Sequence, residues 1–68
     1  MKKKSSITGL WYETKEMVSI RNPKQAAKYI KGGCTLFDLI VDEKYTIVYL
    51  FDREEAKYYF ARWVDGTL

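Results

Sequence analysis

Asp38 and Asp42 are the one pair of carboxylates in this chain worth testing as general acid and base. Both sit on one face of an apparent strand. Four residues of strand separate them by roughly 13 Å at about 3.3 Å per residue, beyond the about 5–9.5 Å of paired glycosidase carboxylates. A tyrosine hydroxyl across the hairpin is the expected partner of each. Histidine is absent, which removes the usual general base and the usual metal ligand. Cys34 follows a helix C-terminus, where the negative end of the dipole raises a thiol pKa, so an inert, buried thiol is expected. Gly32-Gly33 ends a helix instead of preceding one, and so reads as a cap and not a phosphate loop. The acidic residues match no calcium-loop spacing. The expectation is a protein that is not an enzyme and that needs no metal or cofactor.

Binding is the alternative use of such residues. Lys24, Lys28 and Lys31 recur along one side of a helix and, with Lys2–Lys4, make the best nucleic-acid candidate. Tyr45, Tyr49 and Phe51 alternate along a strand and resemble a stacking face. Asp38 and Asp42 opposite those rings would repel phosphate, so a protein surface or a second copy is the preferred partner. Tyr58 and Arg62, one turn apart on the outer side of the last helix, complete the expected protein-binding set.

The elements that must position these groups start with Thr35–Asp52, two strands folded back across Asp42-Glu43-Lys44. A two- or four-residue loop sets Val41 opposite Thr46, Leu39 opposite Val48 and Phe37 opposite Leu50. Tyr45, Ile47, Tyr49 and Phe51 then share the other face with Asp38 and Ile40. A three-residue bulged loop moves the four onto the first face, beneath the helices. The exposed arrangement is expected. Asn22-Pro23 starts a helix, with Gln25 placed for a capping box, and Ala26, Ala27, Tyr29 and Ile30 on one side. Asp52 and Glu55 start another, whose stripe is Ala56, Tyr59, Phe60, Trp63 and Val64. Truncating Phe60 or Trp63 would cost roughly 3–5 kcal/mol if the ring is fully buried. Met17–Arg21 reads as a strand parallel to the first hairpin strand, and Ile7–Tyr12 as a further strand. The fold class is α+β: a small β-α-β-β-α domain with a three-stranded sheet, four-stranded if Ile7–Tyr12 joins it, and both helices on one face.

At 68 residues the chain is one domain near the lower limit for a self-supporting core. Residues 1–6 are expected to be a flexible basic tail and 7–68 the single domain. The net charge of +3 lies wholly in Lys2–Lys4, so the rest is neutral and the basic balance argues little for nucleic acid. One cysteine allows no internal disulfide, and no apolar run is long enough for a membrane span. A cytoplasmic location without membrane attachment is expected.

From Val18 onward the chain resembles an uncharacterised family, a domain of unknown function, of short proteins from Gram-positive bacteria and their phages or mobile elements. RNPKQAAKYIKGG, the Phe37-Asp38-Leu39 step and VYLFDREEAKYYFARW carry the likeness. It transfers no catalytic residue. It implies a mobile-element setting, in which short proteins bind and modulate a host protein. The expected function is therefore a small non-enzymatic protein-binding module with a host protein as partner, able to form a homodimer through a free sheet face. A small nucleic-acid-binding protein is the second choice.

Overall fold

The computed structural model describes all 68 residues. In chain order the elements are β1 (Lys2–Lys4), β2 (Trp11–Glu13), a 3₁₀ turn (Thr14–Glu16), β3 (Met17–Ile20), α1 (Pro23–Gly32), β4 (Leu36–Val41), β5 (Ile47–Asp52) and α2 (Arg53–Asp65). The fold is α+β. Its main sheet has the order β3-β5-β4, with β5 antiparallel to both neighbours. β3 and β4 thus run in the same direction, as expected, but β5 lies between them.

The helices start and stop where local chemistry demands. Asn22 Oδ1 accepts the backbone N–H groups of Lys24 and Gln25 at 3.0 and 3.2 Å, and Pro23 follows. Gly33 closes α1 with φ 108°, a left-handed conformation that disfavours any side chain. Asp52 caps α2 through the Glu55 N–H at 3.0 Å. Neither capping box closes, because both return residues have other partners. Gln25 donates to the Tyr29 hydroxyl at 2.9 Å. Glu55 accepts the Thr35 N–H at 2.9 Å and so ties α2 to the entry of β4.

The hairpin adopts the three-residue loop. Asp42 N–H donates to Thr46 O, Tyr45 N–H donates to Asp42 O, and Tyr45 takes the left-handed φ of 63°. Val41 therefore faces Ile47, Ile40 faces Val48 and Leu39 faces Tyr49. A bulge at Phe37 then shifts Leu36 opposite Phe51. This overturns the exposed arrangement of the aromatic strand. Phe51 is fully buried with Ile20, Ala26, Tyr29, Cys34 and Ala56 beneath the helices, and Tyr49 packs half-buried against that cluster. The Phe51 and Tyr29 rings lie 5.3 Å apart.

The other sheet face is also covered. Residues 1–6, expected as a flexible tail, instead contribute β1, which pairs antiparallel with β2 as a separate two-stranded sheet. Within Ile7–Tyr12 only Trp11 and Tyr12 are strand, and this segment does not extend the main sheet. Ser5 organises the intervening loop: its hydroxyl accepts the N–H groups of Ile7 and Thr8, at 3.1 and 3.0 Å. Tyr12 packs with Met17, Val48 and Leu50 in a second apolar cluster flanked by Phe37.

The helix faces are rotated from the expected ones. On α1 the buried residues are Ala26 and Tyr29, while Ala27 and Ile30 are exposed. On α2 Ala56 is buried and Tyr59 and Trp63 half-buried, whereas Phe60 and Val64 stand in solvent. Phe51→Ala should therefore lower the unfolding free energy by about 3–5 kcal/mol, a large share of the stability of so small a domain. Phe60→Ala should cost only about 1 kcal/mol. Urea denaturation followed by tryptophan fluorescence checks both values.

Candidate binding surface

Asp38 and Cys34 are both enclosed. Asp38 stands on the sheet face beneath the N-terminal hairpin. Its Oδ1 accepts the Ser5 hydroxyl at 2.7 Å and the Leu39 N–H at 2.9 Å, and its Oδ2 accepts the Tyr12 hydroxyl at 2.5 Å. Burial pushes the Asp38 pKa up. The two hydroxyls, the Leu39 amide and the charge of Lys3 outweigh it and hold the group below the ordinary aspartate value. The same hydrogen bond to Asp38, with burial and the charge of Asp38, pushes Tyr12 up to about 12. This is a clamp between two layers of the fold. Asp42 belongs to different surroundings, in the hairpin loop with Arg21 Nε at 3.5 Å. Cys34 is buried beside Glu55, and burial followed by the carboxylate charge lifts its thiol to about 12.

The expected binding residues do not form one surface. Tyr45 is exposed at the tip of the hairpin loop, Tyr49 is half-buried and Phe51 is interior. Tyr58 is exposed, with Arg62 stacked on its ring at 5.7 Å and donating to its hydroxyl at 3.3 Å. Arg62 also donates to the Thr67 carbonyl at 2.7 Å, so it braces the end of α2. Lys24 and Lys31 are exposed, but Lys28 folds back, donating to the Leu68 carbonyl at 3.1 Å above the Trp63 ring. The three lysines are therefore not one free stripe.

A different surface is better built. Val18 and Ile20 of β3, Tyr29 of α1, and Ala56 and Phe60 of α2 line an apolar groove of about 240 Å³. Arg53 and Lys57 stand at its rim. The Phe60 ring is 54% exposed on its wall. β3 places Val18 and Ile20 on the helix side by strand alternation, and the core holds Tyr29 and Ala56 in place from below. The α2 stripe from Tyr59 to Val64 is about 140° wide at about 100° per residue. One edge of it packs on the core and the other borders this groove. That width was the available sequence signal, and the bordering residues of β3 and α1 carried none.

No protein-family model, curated protein or solved structure matches the chain. No helix is long and apolar enough to cross a membrane.

Three outcomes follow from the enclosed groups. Because the Asp38 pKa is lower folded than unfolded, its contribution to stability is complete above the unfolded value and is lost as pH falls through the folded one. Asp38→Asn should therefore flatten the acid limb of stability measured against pH, and Tyr12→Phe should cost about 1.5–3 kcal/mol at neutral pH. The Cys34 thiol should resist a disulfide reagent at pH 8 in the native protein and react fully in denaturant.

Proposed function

We propose that this protein is a non-enzymatic protein-binding module, and that the groove between β3, α1 and α2 receives an apolar side chain of its partner. The observation that carries this reading is the half-exposed Phe60 on the wall of a rigidly floored apolar groove. A ring held there without full burial contributes little to folding, and desolvating it against a partner is favourable. Arg53 at the rim donates to the Met17 carbonyl and Lys57 pairs with Glu54 at 2.9 Å, and both keep further N–H donors for an acidic residue beside the partner's apolar anchor. A host protein met in a phage or mobile-element setting is the partner class this reading adopts. Nucleic-acid binding is the weaker reading, because Lys28 is held by the chain's own Leu68 carbonyl.

Selection from a displayed peptide library tests the proposal. The expected result is enrichment of peptides with a large apolar residue flanked by Asp or Glu, bound at least about tenfold more weakly by Phe60→Asp. Tyr45→Ala should leave binding unchanged. Enrichment indifferent to Phe60→Asp would overturn it. So would binding of single-stranded DNA or RNA at low salt that is lost in a Lys24→Glu, Lys31→Glu variant.

A further inference from the structure

The two edges of the main sheet are finished differently. On β3 the outward-facing residues are Met17 and Ser19. The Met17 N–H donates to Thr14 O, and its carbonyl accepts Arg53 Nη2 at 3.0 Å. Only Ser19 is left to offer ladder groups there, and its side chain is polar. This edge is blunted in the way sheet proteins avoid unwanted pairing.

On β4 the protection stops halfway. The bonded closure at Asp42–Thr46 makes Val41–Ile47 and Leu39–Tyr49 the pairs whose β4 backbone groups turn outward. The Thr8 hydroxyl donates to the Phe37 carbonyl at 2.7 Å and covers that end. Beyond it, the Leu39 carbonyl and both backbone groups of Val41 face out. Val41 is 63% exposed, and Ile40 and Ile47 are also in solvent. The stretch Leu39-Ile40-Val41 carries no lysine, proline or charge. An apolar edge of this kind is a template for another strand.

We infer that this edge pairs with β4 of a second copy, antiparallel, with the two-fold axis at Ile40. The edge is self-complementary in that register. The Val41 N–H meets the carbonyl of the partner's Leu39, and the symmetric pair repeats the bond, for two ladder bonds, while the Leu39 N–H stays on Asp38. Leu39 and Val41 pack across the axis on the helix side, and Ile40 meets its own copy on the other side. Asp42 comes opposite the partner's Asp38, and both carboxylates are already engaged by donors. The contact is smaller than the about 20–30 residues a side of a standard interface, so the dimer is weak, in the micromolar range. It is independent of the groove, which lies at the β3 edge.

Sedimentation equilibrium across a wide concentration range, with hydrogen exchange at the Val41 amide, tests this. The expected result is a reversible monomer–dimer equilibrium and slower Val41 exchange as concentration rises. Val41→Lys should raise the dissociation constant at least about tenfold with unchanged circular dichroism, and Phe60→Asp should leave it unaltered. A monomer at millimolar concentration would overturn the inference, leaving the groove reading intact. So would a dimer indifferent to Val41→Lys. A dimer broken by Phe60→Asp alone would place the second copy in the groove and overturn both readings.

Discussion

Asp42 decides which way every residue of the central hairpin faces. Its Oδ1 accepts the N–H groups of Lys44 and Thr46 at 2.9 and 3.0 Å, and its backbone carbonyl accepts that of Tyr45. The Thr46 amide bond, with those of Lys44 and Arg21, outweighs burial and keeps the carboxylate ionised below the ordinary aspartate range. Three loop residues are thereby held where two or four would invert the strand. The left-handed Tyr45 costs about 1–2 kcal/mol relative to a glycine there, and the Asp42 bonds offset it. With the opposite register Phe51 would lie in the N-terminal layer and Val48 and Leu50 beneath the helices.

That register creates a second requirement. Leu50 and Val48 now point away from the helices, and a sheet in so short a chain cannot leave that face wet without losing much of its buried area. The N-terminal hairpin covers it, and Asp38 secures the cover. A buried carboxylate is stabilising only when its acceptor sites are filled, and Ser5, Tyr12 and Leu39 fill them. The bulge at Phe37 lets Phe37 reach the N-terminal cluster beside Asp38 while Leu36 stays with the helix-side core. The three lysines of β1 thus close a layer whose interior they do not enter.

The sequence carries the parts of this structure that depend on near neighbours. Asn22-Pro23, Gly33, Asp52 and Gly66 mark the helix ends because caps act within one turn. The order of the elements and the helical side of the sheet follow from short connections. Legibility fails where a residue's role depends on distant partners. Gln25 and Glu55 have the spacing of capping boxes, yet Tyr29 and Thr35 claim them. Lys2–Lys4 has the composition of a tail, and only the pairing with Trp11–Glu13 makes it a strand. The hairpin register turns on a left-handed Tyr45, for which no turn dipeptide such as Asn-Gly gives warning. Of the groove, only the breadth of the α2 stripe was visible; Val18, Ile20 and Tyr29 reach it by tertiary packing.

In the proposed reading the two surfaces lie apart on the sheet. β3 and β4 are the opposite edges of a sheet with β5 between them, so a contact through one edge leaves the other free. Joined through β4, two copies form a continuous six-stranded sheet with a groove near each outer edge. A partner offering a single anchor would bind monomer and dimer alike and would not shift their balance. A partner offering two anchors at the right span would bind the dimer with the second contact made intramolecularly, which can strengthen binding by about 10²–10⁴ without any new contact. By linkage the same partner would draw a weak dimer together. Weak self-pairing is therefore the useful strength: a tight dimer would be bivalent whether or not its target was, and only a weak one lets the spacing of anchors on the target decide.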